Sequence, residues 1–175
     1  KREVILSGEA YFDVVKDKSA PFIVRTESGN IEVLGTEFNI KCYSDEIALV
    51  TTLVNGKVKF DDGINPSVIL KPEEQLIFEK ENSQSIVRKV NVNHYISWKD
   101  NRLSFQGETL DMIMKTLSRW YNVEVVFEDS TLKALEFSGN LDRFTDIQEF
   151  LSLFELGVNV KFEVKNRTVY IRKGN

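Results

Sequence analysis

Between residues 4 and 90, apolar and polar residues alternate in short segments broken by Gly, Asn, Asp and Pro. Side chains of an extended chain point alternately to opposite faces, so this period-2 pattern buries one face of a strand and cannot bury one face of a helix. The first half of the chain is therefore expected to be all-β, built of antiparallel strands in a sandwich-like arrangement. Over residues 8–15, Ala10, Phe12 and Val14 share one face, and Glu9, Tyr11 and Asp13 the other. Leu34, Thr36, Phe38, Ile40 and Cys42 share a face in the same way. Further strands are expected at 22–26, 47–54, 57–60, 68–70, 75–78 and 86–89. The segment Gly8-Glu9-Ala10-Tyr11-Phe12-Asp13 is echoed by Gly56-Lys57-Val58-Lys59-Phe60-Asp61, which suggests equivalent strands in two layers.

After residue 92 the period changes. Leu110, Ile113, Met114, Leu117, Trp120 and Tyr121 recur at helical spacing behind Thr109, and Asn122 follows as a left-handed stop. A second helix opens at Thr145-Asp146-Ile147-Gln148, with Thr and Gln at capping-box positions, runs through Phe150, Leu151 and Phe154, and stops at Gly157. Strands are expected at 103–105, 123–127, 137–141, 160–164 and 168–172, the last two joined by a turn at Lys165-Asn166-Arg167. The order β-α-β, β-α-β-β predicts a small α+β domain whose two helices cover one face of a small sheet. The division is placed at 1–92 and 93–175, within a polar stretch, 91–102, where Ile96 and Trp98 are the packing anchors.

Composition narrows the function classes. At 42% hydrophobic and 29% charged, a chain of 175 residues can form a core. A net charge of −4 offers no broad attraction to phosphate backbones, so nucleic acid is not an expected partner. One cysteine excludes an internal disulfide and any site needing two thiolates. No run approaches the roughly 20 apolar residues of a membrane helix. The chain begins at Lys1 without a signal peptide and reads as a soluble piece of something longer.

Catalytic patterns are sparse. The one histidine, His94, falls in the interdomain stretch and has no nucleophile-elbow glycines near it. Cys42 shares its strand face with Phe38 and Ile40 and is expected to be a buried, inert thiol. The glycines form neither phosphate-loop nor dinucleotide pattern. Glu9 and Asp13 share a strand face and are the nearest thing to a glycosidase pair, but a solvated face explains them. Asp61-Asp62-Gly63 and Glu73-Glu74 look like turn and edge charges, and Asn166-Arg167-Thr168 like a hairpin turn. Trp98, Trp120, Tyr121 and Tyr170 offer a sugar or peptide platform; for Trp120 and Tyr121, on the helix stripe, core packing is the expected role. The final strand, with Val169, Tyr170, Ile171 and Arg172, is a candidate partner-binding edge, the alternative being an internal strand. No enzyme activity, cofactor or metal is expected.

Several ordered motifs carry a family resemblance. Arg2-Glu3-Val4-Ile5-Leu6-Ser7-Gly8-Glu9-Ala10-Tyr11-Phe12-Asp13-Val14 resembles the R-x-V-x-L-x-G-E-A-x-F-x-V signature of FecR domains. Pro21-Phe22-Ile23-Val24 follows at the family's spacing, and Ile31-Glu32-Val33-Leu34-Gly35-Thr36-Glu37-Phe38-Asn39-Ile40 is similar to its V-x-V-L-G-T-x-F-N-V segment. Leu70-Lys71-Pro72-Glu73-Glu74-Gln75 resembles the family's L-x-P-G-E-Q turn, with Glu73 where Gly is usual. Downstream, Trp98-Lys99-Asp100-Asn101-Arg102-Leu103-Ser104-Phe105, Leu117-Ser118-Arg119-Trp120-Tyr121-Asn122-Val123 and Phe137-Ser138-Gly139-Asn140-Leu141 resemble the C-terminal domain of Bacteroidetes-type members. The helix and strand order of residues 93–175 is also similar to the short secretin/TonB N-terminal fold.

The resemblance implies the periplasmic part of a single-pass inner-membrane anti-sigma factor, with no catalysis of its own. Its implied partners are the N-terminal periplasmic domain of a TonB-dependent outer-membrane transporter, docked on 93–175, and an extracytoplasmic-function sigma factor held by a cytoplasmic segment outside this chain. Family domains begin with strands upstream of the first motif, so the first strands are expected to be missing here. The alternative is a periplasmic carbohydrate- or small-ligand-binding β domain, and a glycosidase comes third.

Overall fold

The computed structural model describes residues 2–143 and 146–174. The chain divides into two compact units, Lys1–Ile96 and Ser97–Asn175.

The first unit holds β1 (Arg2–Ile5), β2 (Gly8–Asp13), β3 (Phe22–Thr26), β4 (Gly29–Val33), β5 (Glu37–Cys42), β6 (Ala48–Asn55), β7 (Val58–Asp61), β8 (Val68–Leu70), β9 (Glu74–Glu79), β10 (Gln84–Lys89) and a short α1 (Val92–Ile96). They form two five-stranded sheets, ordered β1-β3-β4-β7-β8 and β10-β9-β6-β5-β2. Val24, Ile31, Phe60 and Leu70 from the first and Phe38, Ile40, Leu49 and Leu76 from the second share one buried cluster. Each contributes about 1.5–3 kcal/mol by leaving water. Rings meet across the layers: Phe60 and Phe78 at 5.0 Å and Phe12 and Phe22 at 5.7 Å. The echoed strands β2 and β7 lie one in each sheet.

Three details differ from the sequence reading. The sandwich is not purely antiparallel, because β1 runs parallel to β3, Arg2 opposite Phe22. β1 itself is not among the expected strands, and the chain changes sheets between it and β2. Leu34 does not join the buried face of β5; it is 42% exposed, because β4 ends at Val33 and Gly35, at φ 144°, redirects the chain. Asn39 is buried although its side chain points opposite to Phe38 and Ile40; its amide donates to Glu9 Oε1 at 2.9 Å. The turn Lys71–Glu74 is closed by Glu74 N donating to Lys71 O at 3.0 Å, with Pro72 second and Glu73 third at φ 68°. A positive φ at the third position is what a type II turn requires, so the geometry usual for glycine is kept by a glutamate.

A polar network reinforces the second sheet. Gln75, fully buried, donates to Thr52 Oγ1 at 2.8 Å and accepts from Arg88 Nε and Nη2 at 3.1 and 2.9 Å. Arg88 Nη2 also donates to Tyr95 Oη at 3.1 Å, which ties β10 to α1.

The second unit starts with a 3-10 turn (Ser97–Asp100), then β11 (Arg102–Thr109), α2 (Leu110–Tyr121), β12 (Glu124–Phe127), a 3-10 turn (Ser130–Ala134), β13 (Glu136–Asp142), α3 (Ile147–Glu155), β14 (Val160–Lys165) and β15 (Thr168–Lys173). The element order is the expected one, but the strands form two sheets and not one. β11 pairs antiparallel with β13, and a three-stranded sheet runs β12-β15-β14. Leu110, Ile113, Met114 and Leu117 form the buried stripe of α2 and meet Phe150, Leu151 and Phe154 of α3 in one cluster. α2 is capped at both ends: Thr109 Oγ1 accepts from Met112 N, and Asn122 takes φ 53° while its N–H reaches Ser118 O. In α3 the observed N-cap is Asp146, whose carboxylate accepts from Gln148 N at 3.2 Å; the expected cap Thr145 lies outside the described residues. α3 closes at Leu156 in right-handed conformation, one residue before the expected stop at Gly157.

Candidate functional site

The strand singled out as a binding edge is not an edge. β15 is the middle strand of its sheet, parallel to β12 on one side and antiparallel to β14 on the other. Val169 and Ile171 are fully buried. No strand can add along Val169, Tyr170 and Ile171, because β15 is paired on both sides there, and Arg172 is paired with Lys161 of β14.

The open edge of this sheet beside α2 is β12. Glu124 N donates to Arg167 O at 2.7 Å and Glu128 N to Ile171 O at 2.9 Å. In a parallel ladder alternate residues turn both backbone groups to the same neighbour, so Val125 and Phe127 turn theirs away from β15. Among the described residues no strand pairs with that side. There a groove of about 470 Å³ runs between β12 and α2. Asp111, Met114, Lys115 and Ser118 form its helical wall at spacings of three and four, and Val123–Phe127 its strand wall. One end is basic: Lys133 stands 3.7 Å from Asp111 and 5.4 Å from the centre of the Phe127 ring, and Lys115 is 3.0 Å from Asp111. Glu124 marks the opposite end. An unpaired strand edge beside a helix is what an added extended segment uses, with backbone hydrogen bonds for affinity and the walls for selection.

The other candidates fall elsewhere. His94 is half-buried in α1, and among the described residues no cluster of His, Cys, Asp and Glu could hold a metal ion. Cys42 is 1% exposed, its thiol 3.5 Å from Leu6 O, and burial pushes its pKa up, which disfavours the thiolate. Glu9 is engaged by Asn39, and Asp13 is exposed at the end of β2. Asp61 Oδ1 accepts from Gly63 N at 2.9 Å; Asp62 is held low by hydrogen bonds from Asn65 and Ile64. Glu74 accepts from Lys71 N at 2.8 Å. Asn166 takes φ 55° in the β14–β15 turn. Trp120 and Tyr121 pack against the core, with the Arg143 guanidinium 4.4 Å from the Trp120 ring centre and Tyr121 Oη donating to Arg143 O at 2.9 Å. Tyr170 carries Lys165 at 6.0 Å and Trp98 sits in the opening 3-10 turn. Among the described residues, the carboxylates with displaced pKa values, Asp17, Asp62, Asp129, Glu155 and Glu163, are displaced downwards, whereas a glycosidase proton donor needs the opposite.

Comparison with known proteins follows the two-unit division. The family model described as FecR protein matches residues 1–59, and the model described as FecR, C-terminal matches residues 102–171. The chain belongs to the FecR family of anti-sigma factors. Two crystal structures of a proposed anti-sigma factor from Parabacteroides distasonis are similar to this FecR chain over 99% of its length and 81% of theirs, each at 25% identity and TM-score 0.89. No curated protein matches it. The first match spans β1 to the start of β7 and the second β11 into β15, so the groove lies wholly within the C-terminal FecR module. Sequence reasoning missed the groove because alternation tells which way side chains face and not which strands are neighbours. The one available signal was the Asp111, Lys115, Ser118 spacing, which places polar groups beside the apolar stripe of α2.

Proposed function

We propose that this chain is the periplasmic, receptor-reading part of a membrane-anchored anti-sigma factor. In this reading the N-terminal periplasmic domain of a TonB-dependent outer-membrane transporter adds a strand to the β12 edge of the second unit. Docking then controls release of an extracytoplasmic-function sigma factor held by a cytoplasmic segment outside this chain. The observation that carries the reading is the unpaired β12 edge and its groove, inside the segment that matches the C-terminal FecR model. The sequence resemblance of residues 93–175 to the short secretin/TonB N-terminal fold supports the reading, and in it the second unit is of that class. The chain acts by binding and not by catalysis, a reading supported by the downward displacement of the shifted carboxylates. A docked partner biases the anti-sigma factor only by its differential affinity for two states, so a small, reversible interface suits the relay.

The test is calorimetric titration of the chain with the N-terminal domain of the transporter encoded beside it. Val125→Pro removes an N–H that faces the groove and not the β15 ladder, so it blocks strand addition while sparing the sheet. Wild type is expected to bind and Val125→Pro to lose at least about tenfold in affinity; equal binding by both places the partner elsewhere.

A further inference from the structure

A second concavity lies in the first unit, apart from the receptor-reading site. It encloses about 390 Å³, with Lys16, Lys18, Lys57 and Lys59 among its lining residues and Glu32 as its one carboxylate. Eight other lysines, from Lys41 to Lys173, each stand within salt-bridge distance of a carboxylate. These four have no such partner among the described residues. Asp17, between two of them, stays ionised, its pKa lowered first by hydrogen bonds from Ser19, so it counts as a second carboxylate beside the patch. Its Oδ1 is taken by Ser19 N at 2.9 Å, Ser19 Oγ at 2.7 Å and Ala20 N at 3.2 Å. In a chain of net charge −4, four ammonium groups against the carboxylates of Glu32 and Asp17 still form a local excess of positive charge.

The walls are pinned by backbone. Val14 N donates to Thr36 O, Thr36 N to Val14 O and Asp17 N to Leu34 O, at 2.8–3.1 Å. Thr36 Oγ1 donates to Lys57 O at 3.0 Å. A Cβ on Gly35 would stand 2.4 Å from Lys16 Cα, and one on Gly56 2.7 Å from Gly35 O. The two glycines thus let three chain segments approach and hold the lysine-bearing backbone in place before any ligand arrives. The floor is apolar: Val33 is buried, while Leu34 and Ile69 are 42% and 51% exposed.

We propose that this concavity binds a phosphate ester attached to an apolar body, the chemistry of an anionic phospholipid headgroup. Ammonium groups act as point charges suited to the several oxygens of a phosphate, whereas a planar carboxylate favours the fork of an arginine, and no arginine lines the site. Leu34 and Ile69 face the apolar part of the ligand. No aromatic ring is among the lining residues, so the stacking a sugar would use has no platform there.

The test uses the whole chain, with sedimentation against vesicles of phosphatidylcholine containing phosphatidylglycerol, vesicles of phosphatidylcholine alone, and a titration with soluble glycerol phosphate. The site variant is Lys16→Gln/Lys18→Gln/Lys57→Gln/Lys59→Gln. The control, Lys99→Gln/Lys161→Gln/Lys165→Gln/Lys173→Gln, makes the same change in net charge on the other unit. All eight lysines lie at the surface, and a calorimetric unfolding scan verifies that both variants fold. Wild type and control are expected to bind the anionic probe, and the site variant to lose more than about tenfold, with added salt weakening what binds. Site-dependent binding to vesicles alone assigns the ligand to a bilayer; binding also to glycerol phosphate assigns it to free phosphate esters. Equal loss in both variants, or no binding to either anionic probe at low salt, overturns the proposal.

Discussion

Replacing Glu73 by glycine should stabilise the first unit. Glu73 holds φ 68° in the Lys71–Glu74 turn, and an L-residue in the left-handed region costs roughly 1–2 kcal/mol. Glycine removes that cost but adds about 0.4–1 kcal/mol of freedom to the unfolded chain, so the net gain is about 0.5–1 kcal/mol. Nothing offsets it. The Glu73 side chain is exposed and its carboxylate has no hydrogen bond or ion pair among the described residues. The turn's other bonds, Glu73 N to Leu53 O at 3.0 Å and Val90 N to Glu73 O at 2.9 Å, are made by backbone that glycine keeps. For a unit of this size the gain corresponds to roughly 2–8 °C in melting temperature. Both tryptophans, Trp98 and Trp120, lie in the second unit. A calorimetric scan should therefore show one transition moved upward in Glu73→Gly while the transition followed by tryptophan fluorescence stays in place. Glu73→Ala keeps the strained φ and should gain nothing. An equal gain in both variants would trace the effect to charge beside Glu74 and refute the argument from strain.

Two further outcomes follow from the same structure. Thr51 is fully buried in β6 and its Oγ1 has no hydrogen-bond partner among the described residues; Thr51→Val should stabilise the first unit by about 1 kcal/mol in urea unfolding, and destabilisation would show that the hydroxyl is satisfied. The Asp129 carboxyl is held down to about 2, first by the hydrogen bond from Lys173 and then by those from Thr131. A depressed folded value contributes stability that is complete above the unfolded value near 3.8 and is lost as pH falls toward 2, so Asp129→Asn should flatten the pH dependence of second-unit unfolding between about pH 4 and 2; an unchanged slope would count against it.

Local signals were legible because they are local chemistry. Asn122, expected as a left-handed stop, takes φ 53°, Asn166 sits in the expected hairpin turn at φ 55°, Thr109 caps α2, and β3 and β8 fall where alternation places them. The failures concern partners far apart in the chain. The parallel pairing of β12 with β15 joins residues some forty positions apart, and nothing in the pattern of Val169-Tyr170-Ile171-Arg172 distinguishes a terminal edge strand from the central strand it is. The same gap hid the change of sheets between β1 and β2 and the split of the second unit's strands into two sheets. The groove beside β12 was invisible for that reason, since it exists only once β12 is known to have a neighbour on one side.

The most direct test of the account is amide hydrogen exchange at Val125 and Phe127, followed in this chain with and without the transporter's N-terminal periplasmic domain. Strand addition predicts that these two groove-facing amides become protected on binding, while those of Glu124 and Glu128, already bonded to β15, change little. Binding that leaves Val125 and Phe127 exchanging as in the free chain would contradict docking at the β12 edge.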